Sequence, residues 1–251
     1  MIKDNKPLAG KIALVTGASR GIGKGIAIEL ALSGATVYIT GRTLIEGSSA
    51  SKLSGSITTT ADEIKLLGGH CIAIQCDHCD DKQVEAVFRQ IEQNHQRIDI
   101  LVNNVWGGYA HFTDGTEFWT EQGFWTAPVS RWDSMFQAGV RANYVSSHLA
   151  IPLMLNNKAQ SQVSPTFNKL SKKNGLIVNL SFFAANRDDL GVAYSASKSA
   201  TDSMTSSMAY ELREHGVAVI ALYPGIVRTE SVLQAAEHID LSNSESPQFI
   251  G

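Results

Sequence analysis

Apolar positions along the chain fall into two alternating patterns. Short continuous runs rich in β-branched residues, such as Lys11-Ile12-Ala13-Leu14-Val15-Thr16, read as strands buried on both faces. Between them, stretches such as Ile26-Ala27-Ile28-Glu29-Leu30 carry apolar residues at helical spacing. Strands are predicted at 11–16, 35–40, 71–76, 99–103, 175–181 and 217–223. Helices are predicted near 21–33, 57–68, 80–95, 131–155 and 194–214. This alternation predicts an α/β fold, a doubly wound parallel sheet covered by helices on both faces. Such sheets bind ligands at the carboxyl ends of their strands, where the winding reverses. Thr16-Gly17, Asn103-Asn104, Ser181 and Tyr223-Pro224 all fall at such ends.

Three segments interrupt the alternation. Residues 44–56 and 156–173 are rich in Ser, Asn and Lys and read as solvated loops. Residues 107–130 carry Tyr109, Phe112, Phe118, Trp119, Phe124 and Trp125. So many rings at the strand ends suit a pocket wall or lid, or else a satellite core beneath a long loop.

Composition narrows the picture. A chain of 251 residues with 43% hydrophobic content suits one α/β domain with a full core. A net charge of -3 with no basic stripe gives no sign of a nucleic-acid partner. No run reaches membrane-spanning length, and the polar start Met1-Ile2-Lys3-Asp4-Asn5-Lys6-Pro7 has no apolar signal core, so a cytoplasmic protein is expected. Cys71, Cys76 and Cys79 are too few and too clustered for a disulfide framework. Cys76-Asp77-His78-Cys79, with His70 nearby, lacks a second ligand pair at zinc-finger spacing, and no metal is expected. Asn179-Leu180-Ser181 is formally a glycosylation sequon, yet it ends a buried strand and is set aside.

Candidate chemistry sits in two places. Gly17-Ala18-Ser19-Arg20-Gly21-Ile22-Gly23 follows the first strand and opens the first helix. Glycines there permit a tight turn and close backbone approach to a pyrophosphate on a helix N-terminus. Further on, Tyr194 and Lys198 stand four residues apart, with Ser181 thirteen residues before Tyr194. Side chains at i and i+4 share a helix face, so phenol and ammonium can meet one ligand. A free phenol ionises near ~10, and a neighbouring ammonium lowers that toward the working range. A serine hydroxyl opposite can hold a carbonyl oxygen beside the phenol.

Together these residues give the chain a resemblance to the short-chain dehydrogenase/reductases, whose fold is Rossmann-type. Thr16 to Gly23, Asp77, Asn103-Asn104, Ser181, Tyr194 to Lys198 and Pro224-Gly225 occur in the family's order. Phe124 to Asp133 and Tyr223 to Glu230 are most similar to the dehydrogenase/reductase member 1-like branch. The resemblance implies a catalytic Ser181, Tyr194 and Lys198, and hydride transfer between NADP(H) and a carbonyl or secondary alcohol. It implies cofactor contacts from Gly17, Ser19, Arg20, Gly21, Ile22, Gly23, Arg42, Asp77, Asn104, Tyr194, Lys198, Pro224, Gly225, Val227 and Thr229. It also implies a homodimer formed through the 131–155 and 194–214 helices. NADP(H) is expected over NAD(H) because the second predicted strand ends in Gly41-Arg42 with no carboxylate, where an acid would bind the ribose hydroxyl. Arg20 offers a second guanidinium for a 2′-phosphate. The rings of Trp106, Tyr109, Phe182 and Phe183 point to a bulky, apolar ketone or aldehyde.

Several positions depart from the family pattern. Val105 and Trp106 follow Asn103-Asn104 where Ala-Gly is usual, which sets Trp106 at the border of the substrate. The asparagine that holds a water in the family's proton relay falls at Gly139, and Asn143 lies one turn later, where a surface or helix-packing role is the simpler expectation. After Gly225 no β-rich run remains for the family's seventh strand, so six strands are expected, with a chain truncated in its last elements. Two alternatives stay open. Reduction of an activated C=C bond is one, although members of that kind usually space Tyr and Lys more widely. A cofactor-binding regulatory or scaffold protein that has lost turnover is the other.

Overall fold

The computed structural model describes residues 6–48, 53–108, 123–156, 174–234, 236 and 240–251. Six parallel strands form one sheet: β1 (Ile12–Val15), β2 (Thr36–Gly41), β3 (His70–Gln75), β4 (Ile100–Asn103), β5 (Gly175–Leu180) and β6 (Val217–Leu222). Their spatial order is β3-β2-β1-β4-β5-β6, so the winding reverses between β1 and β4. The expected doubly wound, six-stranded α/β sheet is the observed one.

Alternation along each strand divides the core in two. On one face Ala13, Val15, Val37 and Ile39 pack with Ile26, Ala27 and Ala31 of α1 (Gly21–Leu32) and Ile57 and Ile64 of α2 (Ile57–Leu66). On the other, Ile12, Leu14 and Tyr38 meet Val84, Val87, Phe88 and Ile91 of α3 (Asp81–His95). Each fully buried Val, Leu, Ile or Phe among them contributes roughly 1.5–3 kcal/mol. Local signals set the helix starts. Ser56 and Thr59 form a reciprocal capping box at α2, and Asp80 caps α3 through the Lys82 amide. Asp99 ties β4 to β1, its Oδ2 accepting from the Ile12 amide at 2.9 Å.

The helix expected over 131–155 is not uniform. α4 (Val129–Met135) runs into a π-helical segment (Phe136–Arg141) and then α5 (Ala142–Leu155). There the Ala142 amide bonds to the Gln137 carbonyl, five residues back rather than four, which inserts one residue into the turn. Asn143, for which a surface or helix-packing role was expected, is buried at 3% exposure and so takes the packing one. α6 (Val192–Leu212) begins two residues earlier than predicted, and α7 (Glu230–Gln234) follows β6. Pro247–Ile250 forms a helical turn, α8, against α1. Residues 109–122, which hold most of the aromatic segment, lie outside the described residues. Among the described residues no helix is long and apolar enough to cross a membrane.

Candidate active site

At the carboxyl end of β1 the chain turns on Gly17, φ 68°, and Gly21, φ 58°, conformations that side-chain-bearing residues rarely adopt. Asn104, just past β4, braces this turn: its Nδ2 donates to the Thr16 and Gly17 carbonyls at 3.0 and 2.8 Å. A Cβ on Gly23 would lie 2.4 Å from that same nitrogen, so glycine is what lets the amide in. The Gly21 amide donates to Glu230 Oε2 at 2.9 Å. A carboxylate therefore already sits where a helix N-terminus offers its anion site. Thr229 reaches the same place, its Cγ2 3.2 Å from where a Gly21 Cβ would stand.

Arg20 and Arg42 border the mouth of this cradle. The Arg20 guanidinium donates to the Ser54 and Gly55 carbonyls at 2.8 and 2.7 Å. Burial depresses its pKa, and among weaker influences Glu230 raises it while Arg42 lowers it. No carboxylate ends β2. Asp77, at the end of β3, accepts from the Cys79 amide at 3.0 Å. Pro224 is buried, and the Gly225 amide donates to Glu245 Oε2 at 3.3 Å. Val227 bridges to Glu245. Beyond β6 these residues fold back toward the glycine turn, as Thr229 shows. Among the described residues no cluster of His, Cys, Asp or Glu could hold a metal. Burial instead pushes the Cys71 and Cys76 thiols up to about 12.

Lys198 links the other two candidate residues, Ser181 through its carbonyl and Tyr194 through its ammonium. Ser181 is buried at the end of β5, its hydroxyl directed at the Lys198 carbonyl, 3.5 Å away. The Lys198 ammonium donates to the Leu180 carbonyl at 3.2 Å and lies 5.9 Å from the Tyr194 ring centroid. Desolvation by burial pushes Lys198 down to about 8, opposed by the charge of Asp202.

Trp106, expected at the border of the substrate, lies against the proton-handling pair. Its ring lies 4.2 Å from the Lys198 ammonium and edge-on to Tyr194 at 5.4 Å. Gly139 makes the room, since a Cβ there would stand 2.8 Å from the indole. Sequence reasoning also missed a buried polar network. Asn103 Nδ2 donates to Asn179 Oδ1 at 2.8 Å and to Ser147 Oγ at 3.0 Å, with the Asn143 carbonyl at 3.4 Å. Three asparagines in apolar elements were its one signal. Phe182 stands 6.0 Å from Tyr194 and packs tilted against Phe183, while Phe124 and Trp125 are exposed.

The cradle fits a dinucleotide. Its backbone turns are the ones glycine alone supplies, and its Gly21 amide already holds an anionic group, the Glu230 carboxylate, as a helix N-terminus favours. Comparison with known proteins agrees. The family model for short chain dehydrogenase matches residues 11–240. The chain is 34% identical to dehydrogenase/reductase SDR family member 1 of Mus musculus, over 98% of this chain and 74% of that protein. The Homo sapiens protein of that name is 36% identical over 89% of this chain, which spans 63% of the human protein's length. A solved structure of 7α-hydroxysteroid dehydrogenase with NADH and 7-oxo glycochenodeoxycholic acid superposes with a TM-score of 0.74. It is 26% identical and covers 100% of this chain and 88% of that one. Motif order, sheet topology and these matches agree that the chain belongs to the short-chain dehydrogenase family, in the branch of dehydrogenase/reductase member 1.

Proposed function

We propose that the chain is an NADP(H)-dependent oxidoreductase that interconverts a carbonyl and a secondary alcohol on a bulky, largely apolar compound. The grouping of Ser181 and Tyr194 about Lys198, joined to the glycine turn through Asn104 and Trp106, carries this reading. A nicotinamide dinucleotide seated at Gly17 to Gly23 would supply or accept the hydride. The Ser181 hydroxyl hydrogen-bonds the substrate oxygen and holds it beside the phenol of Tyr194. Tyr194 gives its proton to that oxygen as charge develops there. Lys198, an ammonium on the same helix face, lowers the cost of the phenolate left behind. In the alcohol-to-carbonyl direction the same groups take the proton back.

Arg20 and Arg42, with no acid at the end of β2, support NADP(H) through charge-assisted bonds to a 2′-phosphate. Trp106, Phe182 and Phe183 support an apolar substrate; the hydroxysteroid dehydrogenase named above is similar to this chain and holds a polycyclic ketone. On this reading residues 1–251 act as one nucleotide-binding domain with a substrate-side insertion near 107–130. Two copies pair through the face bearing Trp132, Phe136, Val140, Tyr144 and Met204, which line one groove. A second reading, a cofactor-binding protein without turnover, is favoured by one observation: glycine at 139, with Trp106 packed before it. Purified protein with NADPH and a panel of aliphatic, aromatic and polycyclic ketones and aldehydes separates the two. NADPH oxidation is expected with polycyclic or aromatic members, and none with any member would leave the second reading standing.

A further inference from the structure

Lys198 is 8% exposed, and the partners closest to its ammonium are a carbonyl and a π face. Neither carries a formal negative charge. An ammonium removed from water without one tends to surrender its proton. The nearest remedy is on the same helix: Asp202 is four residues on, one turn along the same face of α6. Its Oδ2 accepts a hydrogen bond from the phenol of Tyr223, at the end of β6. Its Oδ1 is buried and has no hydrogen-bond partner among the described residues. One oxygen is thus fixed from outside and the other is left facing inward.

Other charges do not replace it. Tyr194 on α6, Trp106 beyond β4, and Leu180 and Ser181 at the end of β5 surround Lys198, and none carries a formal charge in its ordinary state. β6 and the turn Phe183–Asn186 contain no charged residue. Arg131, Asp133 and Arg141, on the segments packed against α6, leave Lys198 unmoved, and Arg141 is committed to Asp81 at 2.7 Å. Beyond Asp202, Tyr223 is 40% exposed. Burial first, then Asp202, raises the pKa of that phenol, so it remains a donor to the carboxylate across the working range.

We propose that Asp202, clamped by Tyr223, is a positioning carboxylate that keeps Lys198 protonated beside Tyr194. Its catalytic meaning rests on the reductase reading above, but the effect on Lys198 does not, and the two are measured separately. The probe is NMR titration of the full chain carrying 13Cε-lysine, without cofactor, with Lys198→Met identifying the resonance. Asp202→Asn should lower the Lys198 midpoint by about one pH unit, the order of a single charge partner. Asp202→Glu should restore it, and Tyr223→Phe should lower it by less. A Lys198 midpoint unmoved in folded Asp202→Asn overturns the proposal. If that variant does not fold, Tyr223→Phe decides, and a midpoint unmoved or raised there overturns it. The alkaline limb of kcat/KM for carbonyl reduction should fall with the NMR midpoint. A shifted midpoint in a protein with no turnover would uphold the role of Asp202 and sink the reductase reading instead.

Discussion

The Lys198 ammonium rests 4.2 Å from the centre of the Trp106 ring, and that ring stands edge-on to Tyr194. The indole therefore touches both members of the proton-handling pair. Its π face attracts the cation while its bulk keeps water from one side of it. The proposed proton transfer then depends on the Tyr194 hydroxyl itself.

Tyr194→Phe tests that dependence. The ring contacts to Trp106 and Phe182 survive the change, so folding and NADPH affinity should be close to those of the unmodified chain. Turnover should drop about 10²-fold or more, the usual effect of losing a positioned acid. Steady-state kinetics beside an NADPH titration by fluorescence gives both quantities, and retained turnover would exclude Tyr194 as the proton donor.

Arg20 and Arg42, with no acid at the end of β2, predict the choice of cofactor. kcat/KM with NADPH should exceed that with NADH. Arg42→Ala should reduce the NADPH value about tenfold, the size of one lost charge-assisted bond, while leaving NADH nearly untouched. An equal loss with both cofactors would assign Arg42 to folding rather than to a 2′-phosphate.

Glu230 holds the Gly21 amide at 2.9 Å, and a pyrophosphate would compete for the same donor. Glu230→Gln removes the competing charge from a helix N-terminus, where such a charge is worth roughly 0.3–1 kcal/mol. NADPH should bind about threefold more tightly or better, read by calorimetry. Weaker binding would mean that Glu230 supports the cofactor rather than vacating its place.

His78 sets an acid limit on stability. It is buried between Thr40 Oγ1 at 2.8 Å and Ser146 Oγ at 3.3 Å, and desolvation pushes it down to about 4 from 6.5, with Asp77 pulling the other way. Between those two values the unfolded chain binds the proton and the folded chain does not, so stability rises with pH there. The contribution is complete above pH 6.5 and is lost as pH falls toward 4, a change of about 3 kcal/mol. Thermal unfolding from pH 7.5 to 4 should show this slope, and His78→Gln should flatten it.

The sheet was legible because strands buried on both faces are continuous apolar runs, and the glycine turn because its positive-φ sites admit little else. Tyr194 and Lys198 were legible through helical spacing alone. What escaped depends on contacts distant in sequence or on backbone detail. Gly21 and Glu230 are 209 residues apart, and Asp202 and Tyr223 are 21. The π-helical turn changes an offset from four residues to five without altering the apolar pattern of Phe136 to Arg141. Asn143, just beyond it, was expected in a surface or helix-packing role and takes the packing one, with its carbonyl against Asn103.

Gly139 is where these threads meet, and it makes the sharpest prediction. Gly139→Asn would put an asparagine at the position where family members carry one, so similarity alone predicts a gain in turnover. The geometry predicts the reverse. A Cβ at 139 would stand 2.8 Å from Trp106 Cζ3 and 2.9 Å from Cε3, inside any tolerable contact. The ring cannot retreat freely, because Lys198 and Tyr194 lie against it. Overpacking of this kind costs roughly 1–3 kcal/mol, and an indole driven toward Lys198 should lower kcat as well. Trp106→Ala makes the space, so the double variant should recover part of the stability that Gly139→Asn loses. Urea unfolding of the four proteins in that cycle measures the coupling directly. Additive effects, or a Gly139→Asn protein that turns over faster at undiminished stability, would show that Trp106 does not fill this space in the working molecule.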